Sequence, residues 1–146
     1  MKVGNKLSNE KCQKNGVPQG SVLSPTLFLL MINDVLPNQP PGIKISLFAD
    51  DIAIWISSEF IKTCFIRLQL ALKIIQTWSA KWGLRFSPEK TKAMIFMKHQ
   101  LKSSNRYKGH GLSLEIYNKK IEIVSNHRYL GIIFDSYMTG NALVFP

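Results

Sequence analysis

The chain has 146 residues, the size of one ordinary domain, and its 45% apolar content suffices for a buried core and excludes a disordered-type composition. Its 19 Lys and Arg against 9 Asp and Glu give a net charge of +10. That balance fits either an anionic partner, nucleic acid being the commonest, or simply a solvated basic surface. The charge is uneven: residues 1–80 carry 8 cations against 5 anions, and residues 81–146 carry 11 against 4. Cys12 and Cys64 form no CxxC or Cys/His cluster, which argues against a zinc site, and nothing points to an oxidising compartment. The opening "MKVGNKLSNEKC" has no apolar centre and is no signal peptide. The best apolar run, Leu27 to Ile32, falls far short of the ~20 residues that span a bilayer.

In chain order, the first 15 residues are polar with apolar islands at Val3 and Leu7, and read as a strand pair or a tail. "GVPQGSVLSP", Gly16 to Pro25, reads as an ordered loop ending in Ser24 as N-cap and Pro25 as the first helical residue. Thr26 to Leu36 is expected to be a largely buried helix stopped by Pro37. Ile43 to Ala49 and Ile52 to Ser57 are short and rich in β-formers, a hairpin with Asp50 and Asp51 between its arms. From Glu59 to Trp82 the period turns helical, with Ile61, Phe65, Leu68, Leu72, Ile75, Trp78 and Trp82 on one face and Gly83 as the stop. Cys64 falls in this pattern as a buried thiol. Leu84 to Phe86 is a short strand, "SPEKT" a turn, and Lys92 to Met97 a further strand. Lys98 to Gly111 is a cationic loop without acidic residues. Leu112 to Val124 reads as a second hairpin about Asn118-Lys119, and Tyr129 to Phe134 as a last strand. The order predicts an α+β fold, helices packed on one face of an antiparallel sheet.

Two adjacent carboxylates at a hairpin tip repel one another unless a cation is bound. Carboxylate oxygens suit Mg²⁺, which keeps one or two protein carboxylates and fills the rest with water and substrate phosphate. That is the donor chemistry of two-metal phosphoryl transfer. Taken alone, though, an Asp-Asp pair is more often an ordinary polar turn tip.

Read together and in this order, "GVPQGSVLSP", "FADD", "WGLRFSPEKTKAMIF" and "YLGIIFD" resemble the reverse transcriptases of non-LTR (LINE-type) retrotransposons. The resemblance runs from Val3 to Asp135, and the first two motifs are the specific ones. It implies a partial polymerase palm over residues 1–135 with a tail at 136–146, and RNA-directed DNA polymerase activity on an RNA template, a DNA primer and deoxynucleoside triphosphates, with Mg²⁺. It also implies roles. Asp50 is a direct metal ligand, and Asp51 supports the metal site. Phe48 and Ala49 lie near the primer end. Gly16, Pro18, Gln19 and Gly20 border the incoming nucleotide and templating base, which suits glycines that let a backbone approach closely and an amide that both donates and accepts. Lys90 is placed to steady triphosphate charge, and Tyr129, Leu130 and Gly131 to grip the primer. A solvated turn lysine and a packed strand explain Lys90 and Tyr129 to Gly131 equally well. Lys98, Lys102, Arg106 and Lys108 fit phosphate contacts or plain solubility. His99, His110 and His127 form no ligand pattern, and Trp78 and Trp82 read as core.

The family's third carboxylate belongs to a strand preceding the "GVPQGS" loop, and residues 1–15 contain Glu10 but no aspartate. The expectation is an internal slice of an element, marginally stable, with little or no polymerase activity by itself and an unpaired edge beside the Asp50-Asp51 hairpin. The alternative expectation is a decayed fragment that at most binds nucleic acid.

Overall fold

The computed structural model describes residues 2–3, 6–7, 16–18, 20–36, 39–96 and 111–136. It separates into two compact units, residues 1–34 and 35–146. The cationic loop at 98–110 and the tail from 137 lie outside the described residues.

In the first unit the N-terminal residues form a strand pair, β1 (Lys2–Val3) antiparallel to β2 (Lys6–Leu7). Helix α1 spans Ser24–Ile32. Its cap is Leu23, without a side-chain bond, and Pro25 sits in the first turn, where its missing N–H costs nothing. Ser24 is therefore not the expected N-cap; its hydroxyl donates instead to the Pro18 carbonyl and fastens the preceding loop. The helix closes at Asn33, whose N–H bonds the Leu29 carbonyl at 3.1 Å, short of the expected Leu36. Asn33 and Asp34 compete for backbone bonds and stop the helix before Pro37 is reached. Nor is α1 largely buried: Leu27, Leu29 and Leu30 are exposed, and only Ser24 and Ile32 are buried.

In the second unit, a Pro40–Gly42 turn leads into β3 (Lys44–Phe48), which pairs antiparallel with β4 (Asp51–Trp55). The Arg67 guanidinium donates to the Pro41 carbonyl at 2.9 Å and pins that turn. In this register Ile45, Leu47, Ile52 and Ile54 share one face. Ile54 packs there against the core of Phe65, Leu72, Leu114, Ile116 and Ile121.

Helix α2 spans Ile61–Lys81 and supplies the expected apolar face, with Phe65, Leu72, Ile75 and Trp78 buried. Each fully buried side chain of this size contributes about 1.5–3 kcal/mol. Gly83, at φ +66°, ends the helix with a complete Schellman motif: Leu84 N–H bonds Ser79 O at 2.8 Å, and Gly83 N–H bonds Ala80 O at 3.2 Å. Two expectations on α2 fail. Trp82 is 43% exposed, since the helix ends beneath it, and Cys64 is only half-buried.

Polar groups dock α2 onto β6 (Glu115–Ile116). Gln69 donates to Glu115 O at 3.0 Å and accepts Glu115 N–H at 2.8 Å, replacing a strand partner; Gln76 accepts Tyr117 N–H at 2.9 Å. Ser79, fully buried, gives its one proton to Gln76 O, so the Tyr117 hydroxyl 2.9 Å away is the donor to Ser79. That hydroxyl in turn accepts Phe86 N–H.

The remaining strands are short. β5 (Lys92–Ala93) pairs with β8 (Glu122–Ile123), parallel rather than antiparallel, and β6 pairs with β7 (Lys119–Lys120). The expected strand to Met97 is thus two residues long, and Leu84 to Phe86 forms none, because Tyr117 and Ser79 take its backbone bonds. The β6–β7 turn is Tyr117-Asn118, one residue earlier than expected, with both at positive φ. Tyr129 to Phe134 is not one strand but the bend of a hairpin, β9 (Asn126–Tyr129) against β10 (Ile132–Asp135). The α+β class stands, as two helices with five two-stranded pairs among the described residues. Among those residues no helix is long and apolar enough to cross a membrane.

Candidate active site

The β3–β4 register pairs Phe48 with Asp51, so the turn residues are Ala49 and Asp50, and Asp51 opens β4. Ala49 has φ +50°. A two-residue hairpin with positive φ only at its first turn position has the II′ pattern, which ordinarily takes glycine there. An alanine in that conformation is strained by about 1–2 kcal/mol, and such strain concentrates at functional tips. Phe48, Ala49, Asp50 and Asp51 are all exposed. Among the described residues neither carboxylate has an ion-pair or hydrogen-bond partner. The tip therefore presents two exposed carboxylates, without partners among the described residues, at a two-residue turn.

This donor set fits a hard divalent cation: oxygen ligands, adjacent, uncommitted, and open to water and phosphate. Among the described residues no group of three or more His, Cys, Asp or Glu is gathered at one point. The hairpin thus offers two carboxylates, to be completed by other oxygen donors.

The glycine loop belongs to the first unit. Gly16 and Gly20 have φ +95° and +88°, conformations that side-chain-bearing residues resist. A Cβ on Gly20 would meet nothing within 4 Å, so its glycine serves the backbone turn and not space. Ser21 N–H bonds Pro18 O at 3.3 Å, beside the Ser24 bond to the same carbonyl. Val17, Gly20, Ser21, Ser24, Pro25 and Phe28 line an open, mostly apolar concavity of about 410 Å³. Gln19 lies outside the described residues.

Lys90 sits in a Ser87–Thr91 turn. Ser87 Oγ accepts Lys90 N–H and donates to Glu89, and Thr91 bonds Ser87 O through both its N–H and its hydroxyl. Lys119 closes on Glu89 at 2.7 Å, and Lys92 on Glu122 at 2.6 Å. The Lys119 hydrogen bond, with help from Glu89's own backbone and Ser87, holds the Glu89 carboxyl at about 2 against an ordinary 4.5. The Lys92 hydrogen bond likewise lowers Glu122. Lys90 itself is exposed.

Leu130 and Gly131 form the β9–β10 turn at φ +50° and +83°, a third hairpin tip where a non-glycine residue has positive φ, after Ala49 and Tyr117-Asn118. Tyr129 packs on Phe134 with ring centroids 6.5 Å apart. Phe48 to Asp51 thus share one hairpin. Lys90 and Tyr129 to Gly131 lie on other elements, and no hydrogen bond or ion pair among the described residues joins them to it. The sequence reading missed Gln69, Gln76, Ser79 and Tyr117, which hold the β6–β7 hairpin and with it Lys119. No local pattern marks them: Gln69 and Gln76 bond backbone atoms of Glu115 and Tyr117 more than 40 residues away, and Ser79 and Tyr117 bond each other across 38 residues.

The chain matches the family model described as reverse transcriptase (RNA-dependent DNA polymerase) over residues 1–134. It is 34% identical over 118 residues to a retrovirus-related Pol polyprotein from type-1 retrotransposable element R1 2 of Nasonia vitripennis, covering 80% of this chain and 28% of that protein. It is 31% identical over 130 residues to the RNA-directed DNA polymerase from mobile element jockey of Drosophila melanogaster, covering 85% and 13%. A probable RNA-directed DNA polymerase from transposon BS of the same fly is 30% identical over 145 residues, covering 95% and 15%. The chain therefore spans less than a third of the length of each of these relatives. No solved structure matches it significantly. Reverse transcriptases work with divalent metal ions and on nucleic acid. The chain belongs to the reverse transcriptase (RNA-dependent DNA polymerase) family, with relatives among the proteins of non-LTR retrotransposons.

Proposed function

We propose that residues 1–135 form the catalytic palm segment of an RNA-directed DNA polymerase, with 136–146 as a tail, and that Asp50 and Asp51 carry its metal site. The observation that carries this reading is the β3–β4 tip: two exposed carboxylates without partners among the described residues, beside a strained Ala49. Asp50 would ligate Mg²⁺ directly, with Asp51 supporting. When bound, Mg²⁺ lowers the pKa of the primer 3′-hydroxyl and stabilises charge on the departing pyrophosphate.

The chain's own groups bind and orient. Phe48 and Ala49 offer a surface for the primer end beside the carboxylates. Gly16, Pro18, Gln19 and Gly20 let the backbone approach the nucleotide and templating base. Lys90 places a cation toward triphosphate charge, and Tyr129, Leu130 and Gly131 hold the primer strand. The substrates are an RNA template, a DNA primer and deoxynucleoside triphosphates.

Replacing the matching segment of the jockey polymerase with this chain tests the proposal by Mg²⁺-dependent primer extension on RNA. Extension is expected, and Asp50→Asn in the chimera should reduce it about a hundred- to a thousandfold, the scale on which enzymes depend on transition-state electrostatics. A chimera that extends primers equally well with Asp50→Asn would overturn the assignment.

A further inference from the structure

β3 and β4 form a sheet of two, and no described strand pairs with either outer edge. In a two-residue hairpin the pair flanking the turn exchanges both backbone bonds, and such pairs alternate. Phe48–Asp51, Ser46–Ala53 and Lys44–Trp55 are then bonded inward. The N–H and C=O groups of Ile45 and Leu47 point out from the β3 edge. The strand has no proline and no bulge, two of the devices that blunt such edges.

We propose that the β3 edge, unpaired among the described residues, is a self-association surface, on which β3 of a second copy of this chain pairs antiparallel about Ser46. The strand is complementary to itself in that register. Ile45 meets Leu47 of the second copy, and the four outward N–H and C=O pairs of the two strands satisfy each other. The paired isoleucines and leucines extend the apolar face that Ile54 already packs against the core. On the opposite face Lys44, exposed, meets the 62% exposed Phe48 of the second copy, which attracts a cation to its ring. Ser46 meets its own equivalent, a pair of hydroxyls able to bond each other. The two Lys44 side chains lie at opposite ends and do not repel.

The β4 edge is the poorer choice. Antiparallel pairing about Ala53 would set Asp51 against Trp55 of the second copy, and the negative face of the ring repels a carboxylate. Ala53 has no hydroxyl to offer.

The register is directly testable in the 146-residue chain with Cys12→Ser and Cys64→Ser. Ser46 would face its equivalent in a non-hydrogen-bonded pair, with Cα atoms ~4.5 Å apart, inside the range a disulfide spans. Mild oxidation of Ser46→Cys should give a disulfide-linked dimer, and Ala53→Cys should not. In sedimentation the unmodified chain should show a concentration-dependent dimer. Phe48→Lys should weaken it about tenfold by opposing two like-charged pairs, and adding Lys44→Glu to that variant should restore it. The restored double variant rules out misfolding as the cause of the loss. A chain that stays monomeric at all concentrations overturns the proposal, as does cross-linking through Ala53→Cys in place of Ser46→Cys. Failure there leaves the catalytic assignment untouched, since that rests on the chimera.

Discussion

Ala49 holds φ at +50° in a turn position that suits glycine, immediately before two carboxylates with no partner among the described residues. Ala49→Gly should therefore stabilise the folded chain by about 0.5–1 kcal/mol, the relieved strain less the extra backbone entropy of glycine. Urea unfolding checks this, and an unchanged or lower midpoint would show that the tip is unstrained. Glu89 makes a second prediction at this scale. Its carboxyl lies at about 2 against an ordinary 4.5 because Lys119 donates to it. A lowered folded pKa gives a contribution present above pH 4.5 and lost as pH falls toward 2. Glu89 is fully exposed, so the effect is read as a titration and not as stability. The carboxyl ¹³C shift should titrate near 2, and in Lys119→Gln it should move back up toward 4.5.

At the scale of elements, α2 is both an apolar face and a row of polar clamps. Leu72→Ala empties a core position only 6% exposed and should cost about 2–4 kcal/mol, measured by chemical denaturation. Gln69→Ala strands the Glu115 N–H and C=O together. It should cost about 1–3 kcal/mol and speed hydrogen exchange at the Glu115 amide, while Gln69→Glu should keep only the accepting half of the clamp. The apolar face of α2 was legible because Phe65, Leu72, Ile75 and Trp78 recur at helical spacing, and its end because Gly83 can take φ +66°. The clamps were not, because a glutamine that replaces a strand partner looks like any other polar helix residue. The β6–β7 turn was misplaced for a related reason. Tyr117 occupies a left-handed position that its residue type disfavours, and it is held there by Ser79, Phe86 and the Arg85 guanidinium 5.0 Å from its ring. Tertiary contacts override the local preference.

At the scale of the whole chain, the four motifs in order revealed the family, and the family model confirms it over residues 1–134. The aspartate hairpin was legible in outline, with β-formers on both sides and two acids at the bend, but its turn lies one residue earlier than expected: Ala49 leaves the first arm to join Asp50 in the turn, and Asp51 heads β4 instead of lying between the arms. The short strands after α2 were not, since pairs of two residues such as Lys92–Ala93 leave no periodicity to read. The central claim is that Asp50 and Asp51 together hold a divalent cation. Titrating the 146-residue chain with Mn²⁺ and following amide line-broadening by NMR tests it without requiring catalysis. Broadening should centre on Phe48 to Ile52, should be displaced by Mg²⁺, and should vanish in the Asp50→Asn, Asp51→Asn double variant. Broadening that centres elsewhere, or that survives the double substitution, would contradict it.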